Sequence, residues 1–490
     1  MAPHPPLTFA EMLARHAASR HDASALCFEG RQLTYGALAR QADALACLLW
    51  HGWGLRPGDR VAWLGLNHPS QLLLLFALAR IGAILLPLNF RLAPAEWDVL
   101  LADCAPCRIV HDGQWAAAAQ DLARRHGLPA HGVHDLQAAH AHPAAPVQDD
   151  ADAPALLVYT SGTTSQAKAA VHTQAMLLAN MRMASAVQQM TPADVVLTVL
   201  PLFHVGGLCI QTLPALYAGA QVLLHARFQA QAVLQVIAQQ RPSLTLQVPA
   251  TMKALAEHGL WPGTDLSCLR AVWAGSSLLP APLVQAFHVR GVPVCNVYGA
   301  TETGPFSIAL PPDHALSHVG SCGWPAPAVE VRLAQVRDGV GELLLRGPNV
   351  VRYYWPQQPA CDSQGWFHSG DLASQAADGS YSVVGRAKDI IICGGENIHP
   401  AEIESPLAAH PAVAECAAFG LPDAQWGEIV AVAVVLRPGA LAGDQELQDF
   451  LAARLARYKL PRRWLRVAAL PRTALGKLQR HALAALAAAL

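Results

Sequence analysis

Short apolar runs alternate with helical patterns from the start of the chain to about residue 330, and this alternation constrains the fold more than any other feature. The predicted strands include 60–66, 108–111, 155–159, 221–224 and 244–248, and the predicted helices include 8–19 and 34–51. Strands separated by helices favour open sheets with helical layers on their faces. We therefore predict an α/β fold.

The pattern changes twice towards the C-terminus. Between residues 325 and 385, short strands with Gly and Asp turns predict a small β-barrel-like segment. After Arg386, strands and helices alternate again in a smaller α+β unit. We therefore expect a large N-terminal domain at 1–385, a boundary at 386–389 and a small C-terminal domain at 390–490.

Composition and charge exclude several classes of protein. The 490 residues contain 34 Lys+Arg and 35 Asp+Glu, which argues against a nucleic-acid binder because such proteins need a basic face. The most apolar stretch, 72–87, is interrupted by Arg80, so we expect no membrane span. The N-terminus lacks a signal-peptide pattern, and the 11 cysteines, an odd number, are typical of free thiols. We expect a cytoplasmic protein.

A hydroxyl-rich loop is the first segment that suggests chemistry. It follows a predicted strand, precedes a predicted helix and lacks the Walker pattern. Hydroxyls and backbone N–H groups can donate to phosphate oxygens, and a lysine adds a positive charge. The residues concerned are Thr160, Ser161, Gly162, Thr163, Thr164 and Lys168.

Further segments follow this loop in a fixed order. They are PLFH (201–204), NVYGATE (296–302), GWFHSGD (365–371), GRAKD (385–389), GGEN (394–397), WGE (426–428) and LPRTALGK (470–477). In the third of these, Asp371 is expected directly after a glycine-rich turn. Together, over residues 33–480, they resemble the adenylate-forming superfamily, which includes acyl-CoA synthetases, luciferases and the adenylation domains of peptide synthetases. The resemblance is closest to acyl-CoA synthetases that act on fatty or aryl acids. It implies ATP, Mg²⁺ and coenzyme A, and a mobile C-terminal domain that closes over an active site between the two domains.

The resemblance also implies a role for each matching residue at the nucleotide. The loop residues and Lys168 would hold the ATP phosphates, and Thr301 would contact phosphate as well. Tyr298 would pack against adenine, and Gly299 would be a further nucleotide-binding residue. Asp371 would accept the ribose hydroxyls, and Arg386 would contact ribose or phosphate. The Mg²⁺ ligands would be Glu302 and Thr164.

The two reaction steps imply a second set of residues. Lys477 would bridge the carboxylate and the α-phosphate during adenylation, with His204, Thr301, Glu302 and Lys168 as the other catalytic residues. Rotation at the hinge, Lys388, would then bring Gly394 and Gly395 to line the coenzyme A channel.

The residues expected to line the acyl pocket are mostly small or apolar, which favours an uncharged acyl body. Val297 stands where malonyl-CoA synthetases resembling this chain carry Arg, which argues against a small dicarboxylate. No Asp in 201–208 matches the one that binds an amino group, which argues against an amino acid. The expected pocket residues are Val205, Gly207, Met252, Trp273, Ala274, Gly275, Ala300 and Gly304.

One departure leaves alternatives open. Ser165, Ala167 and Ala169 stand where the superfamily usually has Gly, Pro and Gly. We predict an ATP-dependent carboxylate–CoA ligase that forms an acyl-adenylate and then a thioester from a hydrophobic fatty or aromatic monocarboxylic acid, as a monomer or homodimer. A stand-alone enzyme loading a separate carrier protein is an alternative, although the short stretch after Lys477 favours coenzyme A. A degenerate nucleotide- or acyl-binding homologue is the other.

Overall fold

The computed structural model describes residues 7–137, 143–160, 167–275, 279–393, 396–423, 425–473 and 478–488. The elements up to residue 160 are α1 (Phe9–Ser19), β1 (Ser24–Phe28), β2 (Arg31–Thr34), α2 (Tyr35–Cys47), β3 (Arg60–Leu64), α3 (Pro69–Arg80), β4 (Ile84–Pro87), α4 (Pro94–Cys104), β5 (Arg108–His111), α5 (Ala116–His126), β6 (Ala130–Gly132) and β7 (Pro154–Thr160). The next elements are β8 (Lys168–Thr173), α6 (Gln174–Val187), β9 (Val195–Thr198), α7 (Val205–Gly207), α8 (Leu213–Ala218), β10 (Gln221–Leu224), α9 (Ala230–Gln240), β11 (Leu244–Gln247), α10 (Pro249–Ala256), β12 (Ala271–Gly275), α11 (Ala281–His288), β13 (Val294–Tyr298), β14 (Ile308–Ala309) and β15 (Trp324–Pro325). The remaining elements are β16 (Glu330–Arg337), β17 (Val340–Arg346), β18 (Tyr353–Tyr354), β19 (Gln358–Pro359), β20 (Phe367–Gln375), β21 (Tyr381–Arg386), β22 (Ile391–Cys393), β23 (Glu396–Ile398), α12 (Pro400–Leu407), β24 (Val413–Asp423), β25 (Gly427–Leu436), α13 (Asp444–Ala452), β26 (Arg463–Arg466) and α14 (Arg480–Ala488).

Two large mixed sheets form the N-terminal part of the molecule. The first has the strand order β19-β18-β8-β7-β4-β3-β5-β6, and the second has the order β15-β14-β13-β12-β11-β9-β10-β1-β2. Neighbouring strands in the middle of the second sheet, from β10 to β13, are parallel. Strands β4 and β11 are buried along their whole length, as expected for parallel strands covered on both faces. The predicted α/β layering is therefore present.

Helix α3 belongs to the main core of this part. It is apolar on nearly every face, and a helix of that kind has to be buried rather than half exposed. Leu72, Leu74 and Phe76 are almost inaccessible to solvent, and Phe76 packs edge-on against Phe9 of α1 at 5.6 Å between ring centroids.

No helix in the described part of the chain combines the length and the apolar character needed to cross a membrane.

The segment predicted as small and β-rich forms an antiparallel sheet in the order β16-β17-β20-β21. One local prediction here was wrong, because Asp371 was expected just after a glycine-rich turn but lies inside strand β20. Gly370, at a φ of 68°, and a register shift between Leu372 and Ala373 explain the turn-like sequence, since both features bend a strand without ending it.

The hydroxyl-rich loop was also expected to lead into a helix, and this was wrong as well. It leads into β8, which pairs antiparallel with β7, and Thr160 lies opposite Lys168 in the register. Helix α6 begins only after β8, at Gln174. Phosphate binding by this loop would therefore rely on a connection between two paired strands rather than on a helix N-terminus.

The C-terminal part has a sheet of its own. The strand order in this sheet is β23-β22-β25-β24, and β26 pairs with β25. Helices α12 and α13 cover one face of this sheet, where Ile403 and Leu451 join one apolar cluster, whereas α14 covers the other with Leu483. Each face of the sheet thus has a separate small core.

Candidate active site

The candidate site lies at the carboxyl ends of parallel strands, where open α/β sheets usually bind ligands. Gly275 ends β12 and Tyr298 ends β13. The turn Thr301–Thr303 follows β13, and α10, which carries Met252, follows β11. The topology thus places three predicted site segments along one edge of the second sheet.

Three predicted nucleotide residues are joined by polar contacts. The Tyr298 hydroxyl donates to Oδ2 of Asp371 at 2.7 Å, and Nε of Arg386 pairs with Oδ1 of Asp371 at 2.9 Å. Arg386 reaches this carboxylate because Asp371 and Arg386 are direct partners in the β20–β21 register. Burial and the neighbouring Asp371 carboxylate raise the pKa of Tyr298 well above its usual range, so the phenol remains a donor.

The turn after β13 is tightly packed, and this explains its glycines. A Cβ on Gly299 would lie 1.8 Å from the carbonyl oxygen of Pro305, and Gly304 has a φ of 93°. Asn180, buried in α6, accepts a hydrogen bond from the Phe306 amide and donates to the Cys209 carbonyl. The sequence prediction did not include Asn180, although an amide inside an apolar helix is a recognisable signal of such a contact.

Glu302 lies in this turn and is half-buried. Its Oε1 accepts a hydrogen bond from the Tyr354 hydroxyl at 2.9 Å, and its carbonyl oxygen accepts one from the Val351 amide at 2.8 Å. Burial and the nearby carboxylate raise the pKa of Tyr354. No basic side chain among the described residues forms a salt bridge with Glu302. The sequence prediction missed Tyr354.

Lys168 lies at the start of β8 and is half-buried, with its Nζ 5.2 Å from the centre of the Tyr354 ring. Thr160, the last residue of β7, donates from Oγ1 to the Lys168 carbonyl at 3.3 Å. The other loop residues of the prediction lie outside the described residues: Ser161, Gly162, Thr163 and Thr164.

His204 caps a short helix. Its Nδ1 accepts a hydrogen bond from the Gly206 amide at 3.0 Å, and the side chain is half-buried at the N-terminus of α7. This contact fixes the orientation of the imidazole ring.

The predicted acyl pocket is an apolar region of the core. Val205, Met252, Trp273 and Ala274 are almost fully buried. Two of the small residues are small for a packing reason, because a Cβ on Gly207 would lie 2.3 Å from the Pro201 carbonyl oxygen and one on Gly275 would lie 2.5 Å from that of Val297. Ala300 is half-buried and Gly304 is buried.

The remaining residues predicted for the two reaction steps belong to the C-terminal part or to its boundary. Lys388 lies with an exposed side chain in the turn Ala387–Asp389, between β21 of one sheet and β22 of another. Gly394, Gly395 and Lys477 lie outside the described residues.

The donor set around Glu302 fits a hard divalent cation beside phosphates. A half-buried carboxylate without a described basic partner favours a bound cation, and Tyr354 occupies only one of its acceptor positions. Mg²⁺ takes few protein ligands when phosphate oxygens complete its shell. Lys168 lies on the same aromatic ring and supplies positive charge on the hairpin side.

Fold and site together define a nucleotide-binding enzyme with a smaller C-terminal domain. The family model "AMP-binding enzyme" matches residues 13–355, and "AMP-binding enzyme C-terminal domain" matches residues 402–477. The chain belongs to the AMP-binding enzyme family. The resemblance to adenylate-forming acyl-CoA synthetases is confirmed.

Two curated relatives are similar over nearly their whole length. An indoleacetate–CoA ligase from Aromatoleum aromaticum is 39% identical, with 97% of each chain covered. A feruloyl-CoA synthase from an Amycolatopsis species is also 39% identical, with 95% of this chain and 96% of the relative covered. Among solved structures, the O-succinylbenzoate coenzyme A synthetase of Bacillus subtilis in complex with ATP and magnesium ion has a TM-score of 0.84 at 30% identity, covering 96% of this chain and 98% of that one.

These similarities confirm the predicted fold class and enzyme class. The protein is an acid–thiol ligase of the AMP-forming kind, and it uses ATP, Mg²⁺, a carboxylic acid and coenzyme A. The degenerate-homologue alternative receives no support from the comparisons.

Proposed function

We propose that this enzyme joins an aromatic monocarboxylic acid to coenzyme A through an acyl-adenylate. The observation that carries the proposal is the pair of polar clusters at the end of β13 and the turn after it, Tyr298–Asp371–Arg386 and Glu302–Tyr354–Lys168. The relatives named for indoleacetate and ferulate support an aromatic acid, and the uncharged core around Met252 and Trp273 has the matching polarity.

In the first half-reaction, a carboxylate oxygen of the acid forms a bond to the α-phosphorus of ATP, and the bond to pyrophosphate breaks. Both reactants are anions, so the site has to neutralise their repulsion and hold them in line. Lys168 would face the phosphates from the hairpin, and Lys477 would bridge the carboxylate and the α-phosphate. Mg²⁺ held through Glu302 and Thr164 would supply further positive charge to the phosphates.

On the nucleoside side, Asp371 would accept hydrogen bonds from the ribose hydroxyls while Arg386 and Tyr298 keep its carboxylate in place. The Tyr298 ring, with its hydroxyl already engaged, would offer its face to adenine, and Gly299 would let the turn approach closely. Thr301, half-buried in the same turn, would contact phosphate.

In the second half-reaction, the sulfur of coenzyme A forms a bond to the acyl carbon, its proton is lost, and AMP leaves with the former carboxylate oxygen. Rotation about Lys388 would remove Lys477 and bring Gly394 and Gly395 to the thiol channel. His204, held at the N-terminus of α7 beside Val205, would lie next to the acyl group.

The domain limits of 1–385 and 390–490, with a hinge at 386–389, are part of this proposal. They are supported by the change of sheet between β21 and β22 across an exposed turn. Lys388→Pro fixes φ at the hinge, so adenylation should persist while thioester formation stops. Normal overall turnover by this variant would place the hinge elsewhere.

The central test is pyrophosphate release with and without coenzyme A, over a panel of acids. The panel contains indoleacetate, ferulate, benzoates, fatty acids of several lengths, malonate and amino acids. We expect release with aromatic acids and acceleration by coenzyme A. Release that does not depend on coenzyme A would favour loading of a carrier protein. Release with fatty acids alone would contradict the aromatic assignment. No release with any acid would contradict ligase activity.

A variant separates the half-reactions. Lys477→Ala should lose adenylation by about 10³-fold, as expected when a group that stabilises transition-state charge is removed. Thioester formation from supplied acyl-adenylate should be retained. Equal loss of both half-reactions would contradict the role of Lys477.

We also propose a cytoplasmic location, where ATP and coenzyme A are available together. Fractionation of cells expressing the protein, with an antibody against it, tests this location. Recovery in the membrane or secreted fraction would contradict it.

A further inference from the structure

A strand of two residues, β18, contacts two elements of the candidate site, the turn that carries Glu302 and strand β8. Tyr354 of this strand pairs with Ala170 of β8 in an antiparallel bridge. Its hydroxyl donates to Oε1 of Glu302 at 2.9 Å, and the Nζ of Lys168 lies 5.2 Å from the centre of its ring. One side chain therefore contacts both the carboxylate proposed to hold Mg²⁺ and the lysine proposed to face the phosphates.

The neighbours of Tyr354 fix its position from both sides. The Val351 amide donates to the Glu302 carbonyl at 2.8 Å, and the Trp355 amide donates to the Ala169 carbonyl at 2.8 Å. The Trp355 indole nitrogen donates in turn to the Asp103 carbonyl at 3.2 Å. The backbone of this segment is thus attached to the Glu302 turn at one end and to β8 at the other.

These contacts have a physical consequence for the carboxylate. A hydrogen bond on one oxygen restricts rotation of the Glu302 side chain and leaves the remaining lone pairs available for a cation. Hydrogen-bond partners of metal-ligating carboxylates orient them in this way in many metal sites. The ring face beneath Lys168 attracts its ammonium group and restricts where it can point.

We propose that Tyr354 is a positioning residue that sets the Glu302 carboxylate towards Mg²⁺ and, with the same ring, sets Lys168 towards the phosphates. The proposal rests on the proposed function, because it takes Glu302 as a metal ligand. It assigns the two halves of the tyrosine to separate tasks, the hydroxyl to the metal and the ring to the lysine.

The test uses the full chain and two substitutions that separate these tasks. Tyr354→Phe removes the hydroxyl and keeps the ring, whereas Tyr354→Leu removes both. Binding is measured by electron paramagnetic resonance of Mn²⁺ with a non-hydrolysable ATP analogue, and by calorimetry with the analogue alone in the presence of a chelator. Neither readout depends on turnover.

For Tyr354→Phe we expect Mn²⁺ binding about tenfold weaker, the size usual for losing a hydrogen bond to a metal ligand. Metal-free binding of the analogue should be unchanged. In acid-dependent pyrophosphate exchange, the Mg²⁺ requirement should rise while kcat at saturating Mg²⁺ recovers to within about twofold, since the reacting groups are retained. For Tyr354→Leu we expect the same metal defect together with metal-free binding about threefold weaker.

Two matched variants complete the design. Tyr353→Phe removes the neighbouring hydroxyl on the same strand, and its side chain packs against a different part of the core, so it should bind like the wild type. Glu302→Gln removes the carboxylate itself and should weaken Mn²⁺ binding at least as much as Tyr354→Phe.

Each result decides between the ideas. Tyr354→Phe with wild-type Mn²⁺ affinity would overturn the inference and leave the proposed function intact, provided that Glu302→Gln is defective. Glu302→Gln with wild-type Mn²⁺ affinity would overturn the metal role of Glu302 and the inference with it. If Tyr354→Phe weakened metal-free binding of the analogue as much as it weakens Mn²⁺ binding, the variant would have a general loss of structure. That result would also overturn the inference.

Discussion

The proposed nucleotide side of the candidate site is held by polar contacts between single atoms, whereas the proposed acyl side is held by packing. Asp371 has a partner on each carboxylate oxygen, and Glu302 has Tyr354. Trp273 and Met252, by contrast, are inaccessible and lie in the main apolar core, and the Trp273 indole nitrogen has no partner among the described residues. Function on the nucleotide side should therefore depend on individual atoms, and on the acyl side on volume.

The largest effect is expected where volume matters. Trp273→Ala should lower the free energy of unfolding by about 3–5 kcal/mol, because a fully buried indole leaves a cavity. Denaturant unfolding measures the change. The control is Trp426→Ala, whose side chain is 37% exposed and should cost under about 1 kcal/mol. Equal losses from the two tryptophans would remove the contrast between packed and exposed positions.

On the polar side, Asp371→Ala should impair the use of ATP and leave binding of the carboxylic acid unchanged. Losing hydrogen bonds to a charged group costs about 2–3 kcal/mol, so kcat/KM for ATP should fall about 50-fold while the KM for the acid stays within twofold. Steady-state kinetics with each substrate varied in turn checks this. Asp378→Ala, in the hairpin turn beyond β20, is the control and should keep the ATP parameters. A rise in the KM for the acid as large as the fall in kcat/KM for ATP would contradict the separation of the two sides.

One buried polar residue is an exception to this contrast. His172 of β8 is fully buried, and neither ring nitrogen has a partner among the described residues. Burial lowers its pKa to about 4, below the unfolded value near 6.5. Between these values the unfolded chain binds more protons, so stability is complete above pH 6.5 and falls as the pH drops towards 4, by about 1.4 kcal/mol per pH unit.

His172→Leu should remove this slope. Urea unfolding of both proteins from pH 5 to pH 7.5 measures it, since the wild type should lose stability at the acid end and the variant should lose less. His134→Leu replaces an exposed histidine and serves as the control, with the wild-type slope expected. The same slope in His172→Leu would assign the acid sensitivity to other groups.

The smallest expected effect comes from a single hydroxyl. Tyr298→Phe keeps the ring and removes the donor to Asp371, so kcat/KM for ATP should fall about fivefold, as for a hydrogen bond of about 1 kcal/mol. Tyr35→Phe, which removes a hydroxyl bonded to the Ala220 carbonyl in the core, should change stability but not the ATP parameters. A Tyr298→Phe enzyme with unchanged ATP kinetics would show that the remaining Arg386 contact is sufficient to hold Asp371.

Much of the fold could be predicted from local pattern. Strands β5 and β10 have the predicted bounds, because each is a short apolar run between turn residues. Strand β8 could not be predicted in this way, since Lys168–Thr173 has weak strand propensity and becomes a strand by pairing with β7. In β20, Ser369 and Gly370 are typical of a turn, and only pairing with the neighbouring strands keeps the segment in the sheet.

The site divides in the same way. The sequence motifs singled out Tyr298, Asp371 and Arg386, and the structure brings these three together. No local pattern pointed to Tyr354, because its partner Glu302 is 52 residues away and the contact exists only after two strands have paired. Residues proposed to bind the nucleotide can be identified from motifs, whereas residues that support them depend on the tertiary fold.

The contacts of Tyr298 and of the segment around Tyr354 also affect the order in which parts of the chain fold during synthesis. Tyr298 and Asp371 are 73 residues apart, and Trp355 reaches Asp103 across 252 residues. Contacts of such long sequence separation form late, because loop-closure entropy has to be met before they contribute. A nascent chain that has not yet released residues 351–386 from the ribosome can fold its first parallel strands but lacks part of the proposed nucleotide site. ATP would therefore bind, and stabilise by mass action, only a chain whose N-terminal region is already complete.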